Sequence, residues 1–169
     1  KHCNNYDTCY GAIGYIAVHI AYCMKSILVF GAGKSATCLI EYLLDQIKIY
    51  PWNLTVVDGN LDLVVSKTKN QPGSFAVQID VQEADKRQAL VEKADIVISL
   101  LPPHLHILVA QDCVQFGKNL LTASYADEAI RSLSGEIEQK KLLFLCEMGL
   151  DPGIDHMSAM QLIHQIKQR

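Results

Sequence analysis

The first residues with chemical potential are a pair of glycines and two carboxylates. The run Ser26-Ile27-Leu28-Val29-Phe30 ends in Gly31-Ala32-Gly33-Lys34-Ser35-Ala36. That spacing suits a loop that must carry phosphate. Gly31 can take a tight strand-to-helix turn, Gly33 lets backbone approach a pyrophosphate, and Ala36 lets the following helix lie close on the strand. The anion would rest on unpaired N–H groups at the helix N-terminus, around Lys34 and Ser35. Asp58 stands twenty-five residues beyond Gly33, at the end of a second apolar run. A carboxylate there can accept from both adenosine ribose hydroxyls. It would also repel a 2′-phosphate, and no Arg lies within several residues to compensate, so NAD is the expected cofactor and NADP the second choice. Asp58-Gly59-Asn60 is also a turn sequence in itself, which leaves the ribose contact possible because that needs only the side chain. Asp80, after a third apolar run, either borders the adenine pocket or caps the next helix.

Further along are groups that can move a proton. Imidazole titrates near neutral pH, which makes His106 and His156 candidates. His106 falls in the first turn of a helix and can equally be a helix-start contact, while His104 beside it reads as solvated. Tyr125 reads as a proton donor or a packing aromatic. Asp151-Pro152-Gly153 is a turn in which Asp151 can still hold an amine, and Asp155 reads as a helix N-cap. No triad or metal cluster stands out, and no metal is expected.

The elements that must position these residues follow from hydrophobic periodicity. Strands are expected at Ser26–Phe30, Leu54–Asp58, Phe75–Ile79, Ile96–Leu101, Asn119–Ala123 and Leu142–Cys146. Helices are expected at 35–47, with Leu39, Ile40, Leu43 and Leu44 on one face, then at 61–69, 82–93, 105–116 and 127–140. Pro51-Trp52-Asn53, Gln71-Pro72-Gly73 and Pro102-Pro103 read as breaks, and Gly117 as a C-terminal cap. The apolar run from Ile96 suits a strand buried on both faces. Strict alternation with short connections implies an α/β fold, a doubly wound and mostly parallel Rossmann sheet with helices on both faces. Ligand then binds at the carboxyl ends of the strands, where each of the loops above lies.

Composition bounds what else the chain can be. With 169 residues, half of them apolar and a fifth charged, it suits one domain of ordinary size. A formal charge of −3 without a basic patch gives no case for a nucleic-acid or membrane partner. The six cysteines, at 3, 9, 23, 38, 113 and 146, show no paired metal-ligand spacing. They read as reduced thiols of a cytosolic-type protein, with Cys38 and Cys146 inside apolar segments. The apolar stretch from Gly11 to Cys23 has thirteen residues, short of the about 20 a membrane span needs. Residues 1–24 therefore read as an extraneous or disordered leader and 25–147 as the dinucleotide-binding domain. Residues 148–169 read as the lead-in to a second, substrate-binding domain, as in a sequence cut short at that domain's start.

From the fourth strand onward the sequence resembles the saccharopine dehydrogenase family in its glutamate-forming branch, which includes part of the bifunctional lysine-degradation enzymes. The resemblance rests on Ile98-Ser99-Leu100-Leu101-Pro102-Pro103-His104-Leu105-His106, on Leu121-Thr122-Ala123-Ser124-Tyr125, and on Glu147 through Met157. Val57-Asp58-Gly59-Asn60 and the glycine turn also fit, and the string Gly149 to His156 is the most specific. It covers Met24 to the end.

The resemblance implies NAD-dependent oxidation of saccharopine, a secondary amine, to an imine that water splits into glutamate and aminoadipate semialdehyde. It implies that Gly31, Gly33 and Lys34 meet the pyrophosphate and Asp58 the ribose, and that Ser99 and Leu100 give backbone contacts. Pro102 and Pro103 would border the substrate, although several relatives carry an aromatic in place of Pro103. Ser124 and Tyr125 would lie between nicotinamide and substrate, and Asp151 at the approach to the second domain. His106 recurs in the family pattern, so His106 and Tyr125 are the catalytic candidates. The substrate is then a small amino acid, with the carboxylate-binding arginines in the second domain, and this chain alone would bind cofactor without turnover. The resemblance also implies a possible homodimer through that domain and a cytoplasmic location, or the mitochondrial matrix for a eukaryotic bifunctional enzyme. A carboxyspermidine- or homospermidine-type oxidoreductase and a non-catalytic NAD-binding module remain alternatives.

Overall fold

The computed structural model describes residues 24–168. The expectations for residues 1–23, including Cys3, Cys9 and Cys23, lie outside the described residues.

Six parallel strands form one sheet: β1 Lys25–Phe30, β2 Trp52–Asp58, β3 Ser74–Gln78, β4 Ile96–Ser99, β5 Asn119–Thr122 and β6 Phe144–Leu145. Their spatial order is β3-β2-β1-β4-β5-β6. The order reverses between β1 and β4, which opens a crevice at their carboxyl ends. Seven helices connect or follow the strands: α1 Thr37–Gln46, α2 Leu61–Thr68, α3 Ala84–Lys93, α4 His106–Phe116, α5 Glu128–Ser132, α6 Ser134–Gln139 and α7 Ile154–Lys167. Short 3-10 turns at Lys34–Ala36 and Pro103–Leu105 lead into α1 and α4.

The strand β1 shows why the sheet needs cover on both sides. Ile27 and Val29 join a core with Ile40, Leu43, Leu44 and Val64 under α1 and α2. Leu28 and Phe30 join the opposite core with Val91, Val109 and Cys113 under α3 and α4. Successive side chains point to opposite faces, so a strand apolar at every position must be sandwiched. Gly117 ends α4 at φ +66°, the left-handed cap expected of it.

Several boundaries differ from expectation. Trp52 and Asn53 do not break the chain but open β2, because Lys25 and Ser26 of β1 pair with them. The strand from Ile96 stops at Ser99, and Ile96 itself is exposed. The helix expected over 127–140 is two short helices joined at Leu133, with Asp127 accepting from the Ile130 N–H at the start of the first. The 82–93 helix hides a buried charge. Arg87 Nε lies 2.5 Å from Asp112 Oδ2, and both side chains are almost completely buried. Cys38 is exposed rather than buried, Cys146 is half-buried, and Cys113 lies in the core, where burial pushes its thiol up to about 12. Among the described residues, no helix is long and apolar enough to cross a membrane.

Candidate dinucleotide and substrate site

The glycine turn is clamped between its neighbouring strands. The Gly31 N–H donates to Val57 O at 2.8 Å, and Leu100 N–H donates to Phe30 O at 2.8 Å. Gly31 has φ +95°, and a Cβ there would stand 2.8 Å from the Leu100 carbonyl oxygen. Only glycine fits both the conformation and the space. Gly33 is the opposite case, since a Cβ on it would meet nothing within 4 Å. The loop is open on the side where a ligand must approach. Among the described residues, the N–H groups of Gly33, Lys34 and Ser35 find no acceptor. Three orphaned donors at a helix start, beside a backbone open to close approach, fit a pyrophosphate.

Asp58 ties this turn to the next one. Its Oδ2 accepts from Ala32 N–H at 2.8 Å and its Oδ1 from Asn60 N–H at 3.0 Å. Asp58 thus organises the turn and also borders a cleft, with lone pairs left unused. That cleft, about 710 Å³, is lined by Asp58, Gly59, Gln78, Asp80, Lys86 and Pro102 among others. Its place beyond β1–β3 is where the adenosine half of a dinucleotide belongs. Asp80 borders it, and its side chain accepts from Gln82 N–H at 2.9 Å. It shapes the turn before α3 rather than capping the helix, whose N-cap position is Glu83.

Two supporting residues escaped the sequence. Lys67, from α2, donates through Nζ to the Gly33 carbonyl and to Thr37 Oγ1, which braces the glycine loop from behind. Arg87 Nη1 donates to Val81 O, on the wall of the large cleft, while Asp112 holds the guanidinium. Gly33 and Thr37 lie far in sequence from Lys67, as Asp112 does from Arg87, so no spacing rule reveals these contacts.

The second half of the crevice is built from side chains. A cleft of about 500 Å³ is lined by Ser35, Leu100, Ser124, Met148 and Asp151. Pro103, Tyr125, Asp127 and Asp151 line a smaller one of about 270 Å³ that also touches Ser124. Tyr125 donates to Asp151 Oδ1 at 3.2 Å. Its reduced contact with water and then that carboxylate push the phenol above its ordinary value. It remains exposed and within reach of a substrate.

Other expectations need correction. Ser99 is fully buried, so it touches no cleft directly, while Leu100 lines one. His106 is 1% exposed, with Nδ1 at 2.8 Å from Ser99 Oγ and Nε2 at 2.8 Å from Ser124 Oγ. Both ring nitrogens are engaged, so His106 offers no free nitrogen as a catalytic base. Burial holds its pKa below the ordinary value of 6.5, and the Asp127 charge opposes that only in part. Asp155 is not the N-cap of α7 but its second residue, and it accepts from Gly153 N–H at 2.9 Å. Asp151, Asp155 and His156 bring donor atoms within 4.8 Å of one another, a proximity the sequence did not reveal.

Comparison with known proteins places this geometry. Residues 27–145 match the model of the saccharopine dehydrogenase NADP binding domain. The chain belongs to that family. It is 35% identical over 144 residues to the mitochondrial alpha-aminoadipic semialdehyde synthase of Bos taurus, covering 85% of this chain and 15% of the relative. It is 32% identical over 142 residues to the NADP(+), L-glutamate-forming saccharopine dehydrogenase of Saccharomyces cerevisiae, covering 84% of this chain and 31% of the relative. The structure of the apo yeast L-Glu-forming saccharopine dehydrogenase superposes with a TM-score of 0.75 at 30% identity, over 85% of this chain and 32% of that one. Shikimate dehydrogenase of Mycobacterium tuberculosis, at 17% identity and a TM-score of 0.53, shares 73% of this chain and 46% of its own and shows the fold alone. The chain thus spans a third or less of the length of these family relatives. The family description and the yeast relative's name both specify NADP, against the order of preference read from Asp58.

Proposed function

We propose that this chain is the cofactor half of an oxidoreductase that oxidises saccharopine to glutamate and 2-aminoadipate 6-semialdehyde. The observation that carries the reading is the row of clefts at the carboxyl ends of the strands, one bordered by Asp58 and two by Ser124, with the orphaned N–H groups of Gly33–Ser35 in the glycine turn. When bound, a nicotinamide cofactor supplies the hydride acceptor. The chain's own residues do the rest of this half of the work. Gly33, Lys34 and Ser35 would hold the pyrophosphate by their backbone N–H groups, and Asp58 would receive the ribose hydroxyls. The Leu100 and Ser124 walls would position the ring, and Tyr125 and Asp151 would stand at the substrate edge, where a proton must leave the amine.

What supports NAD over NADP is the Asp58 carboxylate, which would repel a 2′-phosphate, with no Arg among the described residues that line the cleft. Lys86 lines the cleft as well, and it pairs with Glu83 at 2.7 Å. The mitochondrial option of the two compartments is supported by the names of the bovine and mouse relatives. A role of residues 148–169 in meeting a substrate-binding part is supported by the exposed Ile154, Met157, Met160, Ile163 and Ile166 of α7, a helix with no buried residue.

Fluorescence titration of the chain with NADH and NADPH tests the cofactor reading. Saturable binding with NADH the tighter is expected; tighter NADPH binding reverses the Asp58 argument. Reduction of NAD by saccharopine, compared with polyamine conjugates, in a longer protein that contains this sequence tests the substrate. Reaction with polyamines alone would replace the substrate, and binding without any turnover would leave a cofactor-binding module.

A further inference from the structure

Three side chains behind the second cleft form a chain whose direction can be worked out from hydrogen bookkeeping. Ser99 and Thr122 are register partners at the ends of β4 and β5. Ser99 is fully buried, and among the described residues its Oγ meets only His106 Nδ1, at 2.8 Å. If Ser99 accepted a proton from Nδ1, its own hydroxyl hydrogen would be buried with no acceptor, which native interiors avoid. Ser99 therefore donates to Nδ1. A neutral imidazole that accepts at Nδ1 carries its hydrogen on Nε2. That hydrogen is donated to Ser124 Oγ, 2.8 Å away. The Ser124 hydroxyl hydrogen is then left to point elsewhere, and Ser124 lines both clefts of this half. Its backbone cannot swing away, since its N–H donates to Thr122 Oγ1 at 3.1 Å and its carbonyl accepts from Glu147 N–H at 3.0 Å.

We propose that Ser99, His106 and Ser124 form a one-way relay of hydrogen bonds that fixes the Ser124 hydroxyl as a donor, aimed at the carboxamide oxygen of a nicotinamide ring. His106 is a positioning residue in this arrangement, not a base. The ligand class rests on the dinucleotide reading above, whereas the direction of the relay does not. A serine free to rotate offers both a donor and an acceptor. One already accepting from Nε2–H is biased to donate, so the cleft favours an acceptor oxygen at this point.

The test has two arms on the intact chain. In the first, the histidines are labelled with ¹⁵N and long-range proton–nitrogen spectra at neutral pH read which nitrogen of His106 carries hydrogen. The Nε2–H form is expected, and Ser99→Ala should release it into a mixture of tautomers while circular dichroism stays unchanged. An Nδ1–H form in the unaltered chain would overturn the relay. In the second arm, Ser124→Ala should weaken NADH about tenfold, as for one lost hydrogen bond, and leave ADP-ribose binding unchanged. Ser124→Thr, which keeps the hydroxyl, should restore NADH binding. Equal losses for NADH and ADP-ribose, or no loss for either, would overturn the assignment to the carboxamide. An unaltered chain that binds neither ligand would contradict the dinucleotide reading itself, and the first arm would still decide the relay.

Discussion

The two halves of the crevice are built by different means. Beyond β1–β3 the recognising groups are backbone N–H donors and one carboxylate, held by contacts within the glycine turn and its neighbouring loop. Beyond β4–β6 they are side chains, Ser124 and Tyr125, steadied by a buried His and an exposed Asp. The first arrangement suits a ligand portion common to many enzymes, because backbone donors match a phosphate whatever surrounds it. The second can be altered residue by residue, which suits the part of a ligand that differs between reactions.

The contrast can be broken first where the halves are joined. Arg87 of α3 and Asp112 of α4 meet in the interior between them. Arg87→Met should cost about 3–5 kcal/mol of stability, because Asp112 is left as a buried unpaired charge. Adding Asp112→Leu should recover much of the loss in urea unfolding. If Arg87→Met alone is neutral, the pair is not the joint it resembles.

In the first half, Gly31→Val should destabilise by roughly 1–3 kcal/mol through backbone strain, with the clash against the Leu100 carbonyl added. It should also abolish NADH binding in whatever fraction folds. A folded Gly31→Val protein with unchanged NADH affinity would remove the glycine turn from the site. Asp58→Asn tests the carboxylate more finely. With the charge gone, the NADPH-to-NADH affinity ratio should rise about tenfold, equivalent to about 1.4 kcal/mol. An unchanged ratio would mean that Asp58 serves the turn alone.

The smallest effect belongs to the second half and is a pH dependence. The folded pKa of His106 lies below its ordinary value of 6.5. As pH falls through about 6.5, the unfolded chain binds the proton more readily than the folded one, so stability declines. Above that pH both states are neutral at this residue and its contribution is constant. His106→Gln should flatten that part of the stability profile in acid, as followed by thermal unfolding. An equal acid slope in the variant would exclude His106 as its source.

What the sequence revealed follows the same division. The sheet was legible because a strand covered on both faces is apolar throughout, as Leu28 and Val29 show by facing opposite cores. Gly31, Gly33 and Asp58 were legible because their spacing is fixed by local geometry. Lys67 and Arg87 were not, since each earns its place from a contact that only the folded chain creates. His106 was found as a residue but not in its role, because the burial that removes its basic function is a tertiary fact. Trp52 was misread for a similar reason, since pairing with Lys25 overrides the local break.

The most direct test of the central claim is titration of the folded chain with NADH, followed by cofactor fluorescence, beside the same titration of Gly31→Val. A crevice that is the cofactor half of an oxidoreductase predicts saturable binding to the unaltered chain and its loss in the variant. No saturable change at millimolar cofactor, with the fold verified by circular dichroism, would contradict it.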